Sequence, residues 1–283
     1  HKVFPVSVCN KRVCMVKTGM QPLNSPLNLT GLCVLNPRPT RQAASLTTAL
    51  ARAGAEVMEL PLLEIVPLAL DSASTQLIMD LDRFQTVVFV SANAARLGLE
   101  AVANYWPQWP QGLSVIAVGP ATKSLLDEAG LSVMAPAQED SEGMLALPAL
   151  SQVDGHRVLV FRGDEGRELL PDTLRARGAL VDVLPLYTRR LPAASAENWQ
   201  NRPRLPDVVL LSSTLIWQHW QAVAGDHALQ PVLIAVSQRL ATQVRAAGAR
   251  RVLCSSGAAP QAWLQALQEW QNIVSSSSAT SAN

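Results

Sequence analysis

The chain has 283 residues, more than the roughly 100 to 200 of one ordinary domain, so two domains are expected, each large enough to bury a core. Hydrophobic residues make up 48% and charged residues 16%, which excludes a disordered or polyelectrolyte chain. With 23 Lys+Arg against 22 Asp+Glu the net charge is +1, which argues against a general nucleic-acid binder, although a local basic pocket stays open.

No apolar run approaches the roughly 18 residues of a membrane-spanning helix, so no membrane association is expected. Residues 1–30 carry scattered Lys2, Lys11, Arg12 and Lys17 without an apolar h-region, and read as an extension outside the fold rather than a signal peptide, with Met20 one alternative initiator. Cys9, Cys14, Cys33 and Cys254 form no C-x-x-C pair, so reduced thiols in a cytoplasm are expected. His1, His156, His219 and His227 lack metal-ligand spacing, so no metal is predicted. Residues 275–283 are small and polar, and 273–283 are expected to stay unordered.

In chain order, Val34-Leu35 opens as a short buried strand, followed by the turn Asn36-Pro37-Arg38-Pro39-Thr40. The next stretch carries a 3.6-period stripe, Ala43, Leu46, Thr47, Leu50 and Ala53, and stops at Gly54, where glycine makes a left-handed cap cheap. Strands then end at Ser91-Ala92-Asn93, at Gly119-Pro120-Ala121-Thr122, at Arg162 and at Ser212-Ser213-Thr214, each leading into a helix. Gly130, Gly178 and Gly248 end later helices.

The order repeats. Gly54 to Leu62 matches Gly178 to Leu186 (178 − 54 = 124), Val87 to Ser91 matches Val208 to Ser212 (208 − 87 = 121), and Ile116-Ala117-Val118 matches Ile234-Ala235-Val236 (234 − 116 = 118). Strand and helix alternating in this way predict two flavodoxin-like or Rossmann-like domains with parallel sheets and helices on both faces. Leu60-Pro61-Leu62 and Leu184-Pro185-Leu186 interrupt the rhythm, because proline lacks the amide of a central ladder; both are expected to be crossings between the domains. The cleft between them would be flanked by the carboxyl ends of the strands, where open α/β sheets bind ligands.

Several side chains at those ends could hold a ligand. Arg162, Gly163, Gly166 and Arg167 form a turn before a helix, with two guanidiniums and exposed amides suited to a carboxylate or phosphate; the bland reading is a solvated turn. Arg38 occupies the matching turn of the first half. Ser91, Ala92, Asn93, Ser212 and Ser213 follow buried strands, where helix capping outweighs nucleophilic attack because no Gly-x-Ser-x-Gly elbow surrounds either serine. Gly119 and Thr122 open another helix, with Thr122 able to cap it or to touch a ligand. Tyr187 either presents a phenol to the cleft or packs. Tyr105 to Pro110 reads as a proline-broken loop whose aromatics pack locally. Nucleotide fingerprints are missing, since neither Gly-Lys-Ser/Thr nor Gly-x-Gly-x-x-Gly follows a strand.

Arg38-Pro39, Ser91-Ala92-Asn93-Ala94, Val118-Gly119-Pro120-Ala121-Thr122, Arg162-Gly163-x-x-Gly166-Arg167, and Gly178-Ala179-x-Val181 with Leu184-Pro185-Leu186-Tyr187, in this order, resemble the uroporphyrinogen-III synthase family from about Leu32 to about Leu267. The resemblance implies a cofactor-free lyase that closes linear hydroxymethylbilane into uroporphyrinogen III, losing water and inverting ring D. It also implies two α/β domains on a two-stranded connector: 31–64 with 191–272 as one discontinuous domain, and 65–190 inserted between. Arg38, Ser91, Ala92, Asn93, Gly119, Thr122, Arg162, Gly163, Gly166, Arg167, Ser212 and Ser213 would then meet substrate, and Tyr187 would stand where the family has a tyrosine proposed to help the hydroxyl leave. The implied partners are the substrate and, transiently, the deaminase that makes it, and the default state is a monomer. The competing reading is a non-catalytic, two-lobed small-ligand-binding or sensor protein.

Overall fold

The computed structural model describes residues 27–280. From the amino end, β1 (Cys33–Asn36) leads into α1 (Thr40–Arg52) and β2 (Glu56–Glu59). The chain crosses to a second lobe through β3 (Glu64–Pro67), α2 (Ser72–Met79), β4 (Thr86–Phe89), α3 (Ala92–Ala103), β5 (Ser114–Ala117), α4 (Pro120–Glu128) and β6 (Val133–Met134). That lobe is completed by α5 (Ser141–Leu145), α6 (Pro148–Ser151), β7 (Arg157–Gly163), α7 (Leu169–Ala176) and β8 (Leu180–Arg190). The return to the first lobe is α8 (Ser195–Gln200), β9 (Val208–Leu211), α9 (Thr214–Ala224), β10 (Val232–Ala235), α10 (Gln238–Ala246), β11 (Val252–Cys254) and α11 (Pro260–Thr280).

The first lobe holds a five-stranded parallel sheet in the order β11-β10-β9-β1-β2. The second holds six strands, β3-β8-β7-β4-β5-β6, parallel except for β3 against β8. Central strands β1, β4, β9 and β10 are buried along their whole length, as continuous apolar runs must be when helices cover both faces. Alternation then sorts their side chains: in β4, Val87 and Phe89 join one core while Val88 joins the core on the other face. In β1, Leu35 and Val34 divide in the same way. Gly54, Gly130, Gly178 and Gly248 all follow helices at φ between +85° and +101°, the left-handed conformation in which a Cβ is strained.

Leaving β3 aside, both lobes place their strands in one pattern. β1, β2, β9, β10 and β11 fill the same relative places as β7, β8, β4, β5 and β6. Each sequence repeat therefore gives two strands to one lobe and three to the other, so the structural lobes are recombined from the repeats.

Three expectations are corrected. Residues 27–30 are part of the fold: Leu29 is buried and its N–H donates to Ala53 O at 2.7 Å, while 1–26 lie outside the described residues. The last helix continues through the expected tail to Thr280, because extending a formed helix costs far less than starting one, even through serines; 281–283 lie outside the described residues. Leu184-Pro185-Leu186 is not a crossing but lies within β8, paired to β7 through Phe161↔Leu184 and Arg162↔Pro185. Proline is tolerated there because the outer edge of β8 pairs with β3 only from Tyr187 onward. The crossings are residues 60–63 and 191–194. They are pinned on the first lobe by Ser195 Oγ donating to Pro61 O at 2.8 Å and by His219 Nδ1 at 2.5 Å from Leu62 O.

Candidate active site

Every candidate from the sequence stands at or just beyond a strand's carboxyl end, except Tyr187, which lies within β8 opposite Gly163, the last residue of β7. In the second lobe the sheet winds outward in opposite directions from β7 and β4, and in the first lobe from β1 and β9. Those boundaries are the switch points at which open α/β sheets leave a crevice. Gly163 and Ser91 flank one, and Arg38 and Ser212-Ser213 flank the other.

At the first switch point Ser91 caps α3, its Oγ accepting the Ala94 N–H at 3.0 Å, with Ala92 and Asn93 half-buried in the first turn. The Tyr187 hydroxyl lies 2.9 Å from Ser91 Oγ, and Arg189 Nη2 donates to it at 3.3 Å. Tyr187 has no exposed surface, which differs from a phenol presented to the cleft. The cause is a slip of the β7–β8 register between Arg162 and Gly163, which pairs Gly163 with Tyr187 and leaves Leu186 extra. Such a bulge sets successive residues on one side, and Leu186 and Tyr187 accordingly enter the same core. Glycine at 163 is required by this approach, since a Cβ there would lie 2.8 Å from Tyr187 Cε2.

The two loop arginines are engaged within the lobe. Arg162, its side chain only 11% exposed, holds Glu168 Oε1 at 2.5 Å and donates to Arg167 O at 3.3 Å, and a Cβ at Gly166 would strike its Cδ at 2.7 Å. Arg167 pairs with Glu142 at 2.8 Å, which holds the Glu142 carboxyl below its ordinary range and raises Arg167. At the end of β5, Gly119 caps α4 without a side-chain bond, and Thr122 is buried in the first turn, so it does not cap.

Away from Arg204, which pairs with Glu56 at 3.2 Å and Asp207 at 2.7 Å, the carboxyl edge of the first lobe carries cations without carboxylate partners among the described residues. Arg38 is half-buried, its backbone N–H donating to Asn36 Oδ1 at 3.3 Å and its guanidinium to Ala258 O. Burial pushes its pKa down, and no ion pair among the described residues offsets this. Ser213 caps α9, accepting Ile216 N–H at 3.1 Å, and Ser212 precedes it half-buried. Arg38, Ser212 and Ser213 thus belong to a different lobe from the Ser91–Tyr187 cluster.

Some residues at these edges went unnoticed in the sequence. Arg189 follows Tyr187 by two positions, the spacing that puts two strand residues on one face. Ser237 caps α10, accepting Leu240 N–H at 3.3 Å, and is found from the repeat, since 237 − 119 = 118. Arg41 and Arg239 are the exposed second residues of α1 and α10, without ion pairs among the described residues, at helix ends where the macrodipole disfavours cations. Asn36, fully buried, shapes the Arg38 turn through Nδ2 donations to Ala43 O at 3.3 Å and Thr47 Oγ1 at 3.1 Å.

Two cavities of about 410 and 350 Å³ open at the opposite, amino edges, beside Leu113 and Ser132 and beside Asp207 and Pro231, away from all these groups. No three His, Cys, Asp or Glu side chains among the described residues gather as a metal site.

Comparison with known proteins agrees with this layout. The profile described as uroporphyrinogen-III synthase HemD matches residues 44–265. The uroporphyrinogen-III synthase of Escherichia coli K12 is 31% identical over 248 residues, covering 84% of this chain and all of that protein. The Salmonella typhimurium enzyme is 30% identical with the same coverage. Among solved structures, a mutant uroporphyrinogen III synthase from the extreme thermophile Thermus thermophilus superposes with a TM-score of 0.60 at 16% identity, over 84% of this chain and 99% of that one. The Helicobacter pylori 26695 protein gives 0.55 at 14% identity, again over 84% and 99%. These two show the shared fold, and the sequence relatives and the profile show that this chain belongs to the uroporphyrinogen-III synthase family.

Proposed function

We propose that this chain closes hydroxymethylbilane into uroporphyrinogen III, with loss of water and inversion of ring D, and that its carboxyl edges hold the substrate's carboxylates. The observation that carries the binding half is the set of cations without carboxylate partners at the positive ends of first-lobe helices, Arg38, Arg41 and Arg239, beside amide-presenting helix starts. Such a set stays unfavourable until an anion arrives, so a nearly neutral chain can still take a polyanion.

The chemistry asks little of the protein. Once the hydroxyl leaves, the azafulvene is reactive by itself, and the substituted carbon of ring D attacks it to give a spiro intermediate that fragments and recloses. Free substrate closes without inversion, so the lobes contribute chiefly by holding a curled conformer. The hydrogen-bonded Ser91–Tyr187 pair at the second-lobe switch point supplies polar groups for the loss of the hydroxyl.

The first-lobe order β2-β1-β9-β10-β11, with the first two strands transposed and the rest in sequence, supports placing that lobe in the flavodoxin-like class, and the second lobe has the same layout as a permutation, β8-β7-β4-β5-β6, in which the transposed pair comes last in the chain. The same reading makes the protein a cytoplasmic monomer that receives its unstable substrate in transient contact with the producing deaminase; the free thiols Cys33 and Cys254 accord with a reducing compartment. The test is to supply fresh hydroxymethylbilane and separate the oxidised uroporphyrin isomers. Isomer III above the blank is expected, and isomer I alone overturns the assignment.

A further inference from the structure

The geometry points to Ser91 as the residue that hands a proton to the departing hydroxyl, with Tyr187 behind it as the proton source and Arg189 holding the phenol oxygen. This rests on the synthase reading and reassigns the donor within it. A guanidinium only donates, so Arg189 at 3.3 Å occupies a lone pair of the Tyr187 oxygen. The Ala94 N–H likewise occupies a lone pair of Ser91 Oγ at 3.0 Å. One proton lies between the two hydroxyls, 2.9 Å apart.

If Ser91 supplied that proton, the phenol's own hydrogen would have no acceptor among the described residues, inside a residue with no exposed surface. A buried donor left unmet is costly. If Tyr187 supplies it, the spare hydrogen belongs to Ser91, which is half-buried at the switch point and can direct it outward. The second arrangement wins, and a directed row runs from Arg189 through Tyr187 and Ser91 to the crevice.

During turnover the substrate C–O bond breaks with its electron pair on oxygen, and the Ser91 proton turns the departing hydroxyl into water. The Tyr187 proton moves to Ser91 in the same event. Negative charge then rests on the Tyr187 oxygen beside Arg189, and the pyrrole nitrogen lone pair stabilises the cation left behind. When closure later expels a proton from the ring carbon, the phenolate recovers it through Ser91. The sum is loss of one water, with no net proton or electron gained.

Ser91→Asn separates this role from capping, because asparagine caps a helix as well as serine but cannot relay a proton. Measured on the full chain, S91N is expected to keep its melting temperature and its KM while kcat for isomer III falls about 10²-fold or more. Ser91→Thr, which retains the hydroxyl, is expected to restore kcat to within a few-fold. Arg189 is exposed, so Arg189→Met leaves the fold intact and gives a second reading: a lowered kcat at unchanged KM. Wild-type kcat in S91N or R189M, or a rise in KM alone, overturns the relay. Failure of the wild-type protein to form isomer III would instead remove the synthase reading itself.

Discussion

Gly163 lacks a side chain because Tyr187 occupies the space that one would need, with a Cβ only 2.8 Å from the ring. Neither partner can yield, since the ring has no exposed surface and the Asp164 N–H is bonded to Tyr187 O at 2.8 Å. Gly163→Ala is therefore expected to cost about 1 to 3 kcal/mol, as overpacking does, and to push the phenol off Ser91. Thermal denaturation and isomer III turnover should fall together; an unchanged turnover would show that the Ser91–Tyr187 contact is dispensable. At this scale the sequence was only partly legible. Ser91 and Ser213 are caps, as their place after buried strands predicts. The sequence leaves Tyr187 open between a cleft-facing phenol and packing, because alternation assigns faces only while the register holds, and the slip at Arg162/Gly163 is a property of the pairing, not of either strand alone.

Within an element the same contest between propensity and packing decides Gly98, in the middle of α3. Alanine there gains up to about 1 kcal/mol of helix propensity. Its Cβ, however, would lie 2.8 Å from Phe89 Cε1 and 3.1 Å from Phe161 Cδ1, two buried rings stacked at 4.5 Å. Overpacking wins, and Gly98→Ala should lower the melting temperature. Helix caps and one ion pair set the response to acid. The Ser74 N–H holds Asp71 below its ordinary carboxyl value, the Gln138 side chain and then the Gly143 N–H hold Asp140 low, and Arg167 does so for Glu142. Folded values below the unfolded ones give stability that is present above about pH 4 and is lost as pH falls through the folded values. All three groups lie in the second lobe. Asp140→Asn, which still caps, is expected to flatten the acid limb of melting temperature against pH between about pH 5 and pH 3; a limb as steep as wild type would exclude Asp140 as a contributor.

At the scale of the molecule, what the sequence showed as two repeats the structure distributes across two lobes. The repeat was visible because strand ends, capping glycines and Leu-Pro-Leu recur in order. Which strands pair was not, because parallel pairing is set by crossovers between distant segments that no local pattern encodes. The distinction can be tested with fragments. Residues 64–190 contain all six strands of the second sheet and both sides of its core, and are expected to fold cooperatively alone, with a sharp thermal transition and a dispersed amide spectrum. The first sequence repeat, 27–150, holds β1-β2 of one sheet and β4-β5-β6 of the other, without the central partners β9 and β7 or the β8 that pairs with β3, and should stay unfolded. The reverse result would make the repeats the folding units.

One strand carries an unusual share of this organisation. β8 spans Leu180–Arg190, pairs with β7 along most of its length, and meets β3 over its last four residues on the way out of the lobe. The tether between lobes and the mounting of Tyr187 are thus one continuous piece of backbone. A change in the angle between the lobes loads that backbone like a lever, with its fulcrum where the register slips beside Gly163. Any closure of the lobes over a substrate is therefore expected to move the phenol with it.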